Sequence, residues 1–261
     1  MLNAMHTAAT GMSAQQRQID TIANNLANVN TTAFKRTTME FQDLIYQKLQ
    51  EAGASLFRGV EVPVQLQVGH GTTVVASNRQ FAQGDLVETG NPLDLVIEGN
   101  GFLQIRMPDG EIAYTRDGSL KLSADGSIVT SSGFRIEPDI AVPDDASSIS
   151  ISADGVVQAF LHGEDFPVDL GELVLARFIN PNGLAAQGRN LFRRTPASGE
   201  PLLASPGTQG VGTLRQGFVE ASNVEVVNEM VNMIMAQRAY EISSKAIQTS
   251  DEMLQLANNL R

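Results

Sequence analysis

The feature that most constrains this chain is a regular repeat of apolar residues at both of its ends. Near the C-terminus, Met233, Tyr240, Ile247 and Leu254 recur every seven residues. Near the N-terminus, the spacing alternates between three and four, as at the a and d positions of helices that pack along one another. The N-terminal positions, one of them polar, are Leu2, Met5, Ala9, Met12, Gln16, Ile19, Ala23 and Leu26. The sequence therefore predicts two long helices that each need a partner.

The C-terminal helix is predicted to be apolar on two sides. It should begin near Val224, because Ser222 and Glu225 have the spacing of a capping box and no Pro or Gly follows Gly217. One side carries Met233, Ala236, Tyr240, Ile247, Leu254 and Ala257, and the other carries Met235, Ala239, Ile242, Ala246, Met253, Leu256 and Leu260. Such helices are usually buried between neighbours, so the second side is expected to contact another subunit. An intramolecular hairpin of the two helices remains the alternative.

The stretch between the helices has the pattern of antiparallel β-structure. Asp-Gly pairs occur at 109–110, 117–118 and 125–126, eight residues apart, and again at 154–155. Asp-Gly favours tight hairpin turns between short strands. The strand candidates are residues 112–116, 120–122, 128–130 and 134–136. The fold class is therefore predicted as α+β, with a central antiparallel all-β domain and two long terminal helices in coiled-coil-like packing.

The sequence divides into four predicted segments. Residues 1–36 form the N-terminal helix of an assembly domain, and residues 217–261 form its C-terminal helix. Residues 66–216 form the β domain. In the connecting segment, 37–65, apolar residues at helical spacing predict a short helix near 39–51. Residues 195–213 are rich in Pro, Gly, Ser and Thr and are interpreted as a linker.

Charge and composition exclude several function classes. The chain of 261 residues has a net charge of −11, of which residues 37–216 carry −10, so it lacks the clustered cations that bind nucleic acid. It has no Cys, which excludes disulfides and thiolate chemistry. No apolar run reaches the 18 residues or so of a membrane-spanning helix, and the N-terminus does not resemble a cleaved signal peptide. We expect no direct membrane insertion.

No catalytic, metal or cofactor site is predicted. His6, His70 and His162 are isolated in the sequence, without a second ligand at the spacing of a metal motif. There is neither a nucleophile elbow nor a phosphate-binding loop. Acidic residues such as Glu98 and Asp144 are explained by surface loops as well as by acid–base catalysis. An interaction function is therefore favoured over an enzymatic one, with a peptidoglycan-acting enzyme as the remaining catalytic alternative.

Three motifs resemble signatures of the bacterial flagellar rod and hook family. Residues 24–35 read Asn-Asn-Leu-Ala-Asn-Val-Asn-Thr-Thr-Ala-Phe-Lys, and residues 237–241 read Gln-Arg-Ala-Tyr-Glu. In the middle, residues 90–95 read Gly-Asn-Pro-Leu-Asp-Leu, followed by Tyr-Thr-Arg-Asp-Gly at 114–118. Residues 216–224, Gln-Gly-Phe-Val-Glu-Ala-Ser-Asn-Val, are most similar to members that build the distal rod. Proximal rod and rod–hook junction components share the terminal signatures and stay open as alternatives.

The resemblance implies a structural subunit of a helical tube that transmits torque from the motor to the hook. In this family the terminal helices form the inner layer, and subunits leave the cell through the flagellar type III export apparatus without a cleaved signal peptide. The implied partners are further copies of the chain, proximal rod proteins, hook protein, and the periplasmic and outer-membrane ring proteins. The implied location is the basal body, in the rod that crosses the periplasm. The predicted assembly interface consists of Leu2, Met5, Met12, Ile19, Leu26, Asn24, Asn25, Asn28, Met233, Ala236, Tyr240, Ile247, Leu254, Gln237 and Arg238.

Overall fold

A computed structural model of the chain describes residues 2–50, 55–57, 60–61, 64–163 and 166–259. The chain forms two compact units, and each unit is built from segments that are distant in sequence. The helical unit contains the described parts of 1–27, 37–79 and 225–261. The β unit contains the described parts of 28–36 and 80–224. The α+β class with a central antiparallel β region is confirmed.

The helical unit combines two long helices with a nested β-ribbon. Its elements are α1 (Leu2–Ala27), β1 (Thr37–Asp43), β2 (Tyr46–Gln50), β3 (Ser55–Phe57), β4 (Val60–Glu61), β5 (Leu66–Gly69), β6 (Thr72–Arg79) and α2 (Val226–Asn259). Strand β1 pairs with β6, β2 with β5 and β3 with β4, all antiparallel, which is the order of one long hairpin. Helix α1 packs against α2 and contacts β1 and β6.

The prediction of a short helix near 39–51 is wrong. Over the described residues 39–50 the chain forms the strands β1 and β2 instead. Thr37, Thr38 and Phe41 favour extended chain, and Thr72–Arg79 supplies a paired strand across seven registered positions. Helical spacing of a few apolar residues is a weak signal, and this long-range pairing overrides it. Residue 51 lies outside the described residues.

Over its described residues, the β unit contains sixteen short strands. They are β7 (Leu86–Glu88), β8 (Leu95–Glu98), β9 (Phe102–Arg106), β10 (Ile112–Thr115), β11 (Leu120–Leu122), β12 (Ile128–Thr130), β13 (Arg135–Glu137), β14 (Ala146–Ile151), β15 (Val156–Leu161), β16 (Val168–Glu172), β17 (Leu175–Arg177), β18 (Ala185–Gly188), β19 (Leu191–Arg193), β20 (Leu202–Ala204), β21 (Thr213–Gln216) and β22 (Phe218–Glu220). A nine-stranded antiparallel sheet runs in the order β11-β12-β13-β9-β10-β19-β18, and β17 joins β9 to β20. A sheet of β14-β15-β16 and the pairs β21-β8 and β22-β7 complete the unit.

The four predicted strands are present as β10 to β13, but the Asp-Gly pairs do not all have one role. Gly110, Gly126 and Gly155 have positive φ values of 84°, 76° and 90°, as tight turns require. Gly118 is different, because a Cβ there would lie 1.7 Å from the carbonyl oxygen of Leu95. Its glycine is needed for close backbone approach and not for a hairpin turn.

The expected linker at 195–213 is also corrected, because it belongs to the β unit. This segment contains β20, and Ser198, Ala204 and Val211 are buried. The side chains of Ala204 and Val211 join the main aliphatic core beside Leu103, Leu175 and residues from eleven further positions. Glycine and proline therefore mark tight turns here, in a segment that is packed into the core.

The two faces of the nine-stranded sheet carry different cores. Leu103 and Ile105 of β9 face aliphatic side chains. Phe102, which alternates with them, packs on the other face with Tyr114, Phe178 and Phe192. The ring centroids of Phe102 and Phe178 are 5.8 Å apart and edge-on. The β unit thus has a conventional buried core on both sides of one sheet.

Candidate assembly interface

The buried face of α1 lies on the far side of the helix from the predicted apolar stripe. Ala14, Thr21, Ile22 and Asn25 are buried, and they fall on one side of a helix with 3.6 residues per turn. Of the predicted stripe, Met5, Met12, Ile19 and Leu26 are half-buried, while Ala9, Gln16 and Ala23 are exposed. The side chain of Leu2 lies outside the described residues. The helical unit therefore leaves much of the predicted stripe uncovered.

The buried face of α2 coincides with one of its two predicted apolar sides. Ala236 is buried, and Met233, Ile247 and Leu254 are half-buried on the side that meets α1. Tyr240 on the same stripe is 39% exposed. A Cβ at Gly11 of α1 would stand 3.5 Å from the Ser243 hydroxyl oxygen of α2, which shows how closely the helices approach. Gln237 and Arg238 are exposed on other sides of α2.

The second apolar side of α2 is open. Met235, Ile242, Met253 and Leu256 are 59%, 68%, 50% and 63% exposed. The neighbouring positions Val227, Met230, Val231 and Ile234 are also at least half exposed. Leu260 lies outside the described residues. Exposed apolar strips of this kind are typical of interaction surfaces.

A buried amide ties together three elements of the helical unit. The Asn25 side chain of α1 donates through Nδ2 to the Thr37 carbonyl oxygen at 2.9 Å and to Glu229 Oε2 of α2 at 3.1 Å. The Thr37 N–H in turn donates to Asn25 Oδ1 at 3.0 Å. Asn25 and Glu229 are each 1% exposed. Asn25 is thus a packing and hydrogen-bonding residue inside the unit, in addition to being a predicted interface residue.

The other asparagines of this motif occupy different surroundings. Asn24 is exposed on α1. Asn28 follows the helix, and its Oδ1 accepts a hydrogen bond from the Thr31 hydroxyl at 3.1 Å. The Asn28 carbonyl oxygen also accepts from the Thr31 N–H at 3.1 Å, which closes the turn after α1.

A buried charged cluster in the β unit was missed by sequence reasoning. Glu220 Oε1 lies 2.5 Å from Lys35 Nζ, and Glu220 Oε2 accepts from Arg116 Nε at 2.9 Å. The Gly84 N–H also donates to Oε1 at 2.9 Å. Arg116 donates further to the Gly99 and Gly101 carbonyl oxygens, at 2.9 and 3.2 Å. All three charged side chains are at most 4% exposed.

The electrostatics of this cluster follow from burial and proximity. Burial alone would raise the pKa of the Glu220 carboxyl, but Arg116 and Lys35 hold that pKa below its ordinary value. Burial lowers the pKa of Lys35, against the opposing effect of Glu220. The cluster carries one negative and two positive groups that are almost fully buried, so its members depend on one another.

The described residues offer no arrangement suited to catalysis on a metal. Over residues 2–50, 55–57, 60–61, 64–163 and 166–259, no three His, Cys, Asp or Glu side chains are grouped as metal ligands. Neither helix in that part of the chain is long and apolar enough to cross a bilayer. The unusual features of the helical unit are the exposed apolar side of α2 and the buried contact between Asn25 and Glu229.

Comparison with known proteins shows which family the chain belongs to. Residues 5–35 match the flagella basal body rod protein family, residues 96–159 the flagellar hook protein FlgE/F/G D1 domain, and residues 215–260 the flagellar basal body rod FlgEFG protein C-terminal family. The flagellar basal-body rod protein FlgG of Borreliella burgdorferi is 51% identical over 100% of this chain and 99% of its own. This chain belongs to the flagellar basal-body rod protein family. Proteins of this family are structural components of the flagellum and not enzymes.

Two further relatives show how completely the similarity covers the chain. The flagellar basal-body rod protein FlgG of Buchnera aphidicola subsp. Acyrthosiphon pisum is 47% identical over the full length of both chains. The protein of the same name from Caulobacter vibrioides is also 47% identical over the full length of both. The three family matches also meet in space: Lys35, Arg116 and Glu220 each come from a different one, and they form the buried cluster. As a member of the rod family, the chain is a structural subunit that assembles with other basal-body components.

Proposed function

We propose that this chain is the structural subunit of the distal flagellar rod and that it polymerises through α1 and α2 into a helical tube. In the tube the helices of neighbouring subunits form the inner layer with coiled-coil-like packing, and the β unit belongs to the outer part. The tube acts as a drive shaft that transmits torque from the motor to the hook. Full-length similarity to basal-body rod proteins supports the assignment to the rod.

The observation that carries this proposal is the open apolar side of α2. Ile242 is 68% exposed and Leu256 is 63% exposed on a helix whose other apolar side already packs on α1. The half-buried stripe of α1, which includes Met5, Met12 and Ile19, is a second surface of the same kind. Two incompletely covered helical faces in one subunit supply what a polymer needs, since each subunit must contact more than one neighbour.

Packing of these faces accounts for a stiff tube without covalent links. Burial of apolar surface contributes roughly 25 cal/mol per Å². The strip on α2 offers eight large apolar side chains, from Val227 to Leu256, that are each at least half exposed. Many such helices packed side by side resist compression because close-packed interiors have few voids. Torque is then carried by interlocked side chains.

The proposed partners follow from the position of a distal rod. One end of the tube meets proximal rod proteins and the other meets hook protein, while the periplasmic and outer-membrane rings surround it. Subunits reach this place through the flagellar type III export apparatus. The net charge of −10 over residues 37–216 supports an outer surface that stays soluble beside the rings.

Ile242→Asp tests the proposal. A carboxylate at this position does not disturb the isolated subunit, because Ile242 is 68% exposed, but it would be buried without a partner in the tube. We expect a gene-deletion host that produces this variant to be non-motile, and its purified basal bodies to end in a short rod stub under the electron microscope. The purified variant should keep the circular dichroism spectrum of the wild-type chain.

Gln248→Asp is the matched control. Gln248 lies on the same helix, is exposed, and belongs to its polar side, so the same charge there should leave rod length and motility unchanged. An Ile242→Asp host with a complete rod and hook would contradict the proposal that this face is packed in the tube. Loss of the entire rod on deletion of the gene would point to a proximal component instead.

A further inference from the structure

The β unit has a cavity of about 420 Å³ on the aromatic face of its nine-stranded sheet. Gln104 of β9 and Tyr114 of β10 lie at its base, and Ile112 and Leu203 form apolar walls. Arg193 and Arg194 lie at its rim. None of these residues is among those placed in the assembly interface, so the cavity is separate from the proposed polymer contacts of the helices.

Strand register explains why polar groups reach this position. Tyr114 is directly opposite Gln104, and Gln104 follows Phe102 by two positions, so all three share one face of the sheet. On this face Tyr114 packs edge-on against Phe178, with ring centroids 4.8 Å apart. The aromatic cluster therefore ends at Gln104, because the next position of β9 on this face carries a polar side chain in place of an aromatic one.

The two side chains at the base have hydrogen-bonding capacity that the described chain does not use. Gln104 is 4% exposed and Tyr114 is 3% exposed. Within the described ranges, neither the Gln104 amide nor the Tyr114 hydroxyl has a hydrogen-bond partner. Their polar atoms are not sealed from solvent but open into the cavity, where a ligand can pair with both. Burial also raises the pKa of Tyr114, so its hydroxyl remains a neutral donor at pH 7.

The lining selects the chemistry of that ligand. An amide plus a hydroxyl can both donate and accept, which complements the C=O and N–H of a secondary amide. The rim is close to neutral, because Arg193 pairs with Glu111 and Arg194 with Glu200. Ile112 and Leu203 are 41% and 50% exposed and offer an aliphatic surface beside the amide position. A neutral amide with an aliphatic substituent fits these groups.

We propose that this cavity binds an extended peptide segment of another protein, with a main-chain amide on Gln104 and Tyr114 and an aliphatic side chain on Ile112 and Leu203. The inference goes beyond rod assembly through the helices. A peptide is favoured over an N-acetylated sugar because the Tyr114 ring is buried and presents no open face for a sugar ring.

The test is a titration of the full-length chain, labelled with ¹⁵N, with N-acetyl-leucine N-methylamide. This probe carries two secondary amides and one leucine side chain. We expect saturable shifts of the Gln104 side-chain NH₂ signals with a dissociation constant of about 1 mM, as befits a ligand of this size. N-acetylglucosamine, which shares the amide, is the second arm and should not saturate. Absence of shifts at Gln104 would overturn the site, and saturation by the sugar alone would overturn its assignment to a peptide.

Three variants make the test specific. Tyr114→Phe removes only the hydroxyl, and Gln104→Leu removes the amide at similar volume, so each should weaken binding about fivefold, as read from backbone signals of β10. Ile179→Ala is the control, because Ile179 is 96% exposed in the same unit and lines a different cavity. It should bind as the wild type does. Wild-type affinity in folded Tyr114→Phe would overturn the role of the hydroxyl and, with it, the proposed site.

Discussion

The β unit and the helical unit place their apolar residues in opposite ways. In the β unit, aliphatic and aromatic side chains are buried on both faces of one large sheet. In the helical unit, Ala14, Ile22 and Ala236 are the buried apolar residues within the described ranges, two of them alanines. Most of the large apolar side chains that are exposed belong to the helical unit. The first unit buries most of its large apolar side chains within itself, and the second leaves most of its own at least partly exposed.

Polar residues show the same contrast in a different form. The β unit buries a charged cluster, in which Glu220 faces both Lys35 and Arg116. The helical unit buries Asn25, which joins the two helices through Glu229, and it buries Thr21 and Ser250, whose hydroxyls donate within their own helices. Buried hydrogen bonds fix how two helices align but add little net stability. The helical unit is thus held in a defined arrangement by contacts that are individually weak.

The largest effect is expected from Glu220→Ala in the β unit. The substitution leaves Lys35 and Arg116 buried without their counter-charge, and breaking a buried ion pair from one side costs about 3–5 kcal/mol. Urea unfolding followed by circular dichroism measures the loss. Glu98→Ala is the control, since Glu98 and Arg215 form an exposed pair that contributes at most about 1 kcal/mol. Equal losses in the two variants would mean that burial of the cluster does not matter.

A slightly smaller loss is expected from Leu175→Ala in the aliphatic core. Leu175 is 0% exposed, and truncating a buried leucine costs about 2–5 kcal/mol through lost transfer energy and the remaining cavity. The same unfolding experiment applies. Leu122→Ala, at a position that is 47% exposed in β11, should change stability by less than about 1 kcal/mol. If both variants unfold at the wild-type urea concentration, the β unit is not the well-packed body described above.

Asn25→Ala should have an intermediate effect that is confined to the helical unit. It removes the donor to Glu229 and both bonds to the Thr37 backbone, at a cost of about 1–3 kcal/mol. Native-state hydrogen exchange should show faster exchange in α1 and α2 and no change in β9 or β10. Gln16→Ala, an exposed change on α1, serves as the reference. Equal acceleration in β9 would show that the two units unfold together.

The regular elements could be predicted from the sequence because their signals are local. Apolar spacing gave both long helices, with α1 ending at Ala27 and α2 beginning at Val226, two residues after the expected start. Strands β10 to β13 follow from short β-branched runs between turn residues. The nested ribbon at 37–79 could not be predicted in this way, since β1 depends on a partner strand that begins at Thr72. Periodicity within one segment contains no information about such pairing.

The candidate sites show the same limit more sharply. A heptad repeat identifies which residues share a side of α2, but it does not tell which side meets α1 and which stays open. The charged cluster joins Glu220 to Lys35 and Arg116 across 185 and 104 residues of sequence. The motifs that contain these residues indicate a family, but they do not indicate a contact between the three side chains. Nothing in their spacing links them, because the fold alone brings them together.

The smallest effect on the isolated chain is expected from Ile242→Ala. This variant tests most directly whether the helical unit leaves an apolar face uncovered. Ile242 is 68% exposed, so its truncation should change the free energy of unfolding of the monomer by less than about 0.5 kcal/mol. The same change removes apolar surface from the proposed contact, so it should raise the concentration at which purified subunits polymerise, as measured by sedimentation. Gln248→Ala, on the polar side of α2, should change neither quantity. If Ile242→Ala instead destabilises the monomer by 2 kcal/mol or so, as a buried residue would, then this face is already covered within the single chain and the helical unit is complete without neighbours.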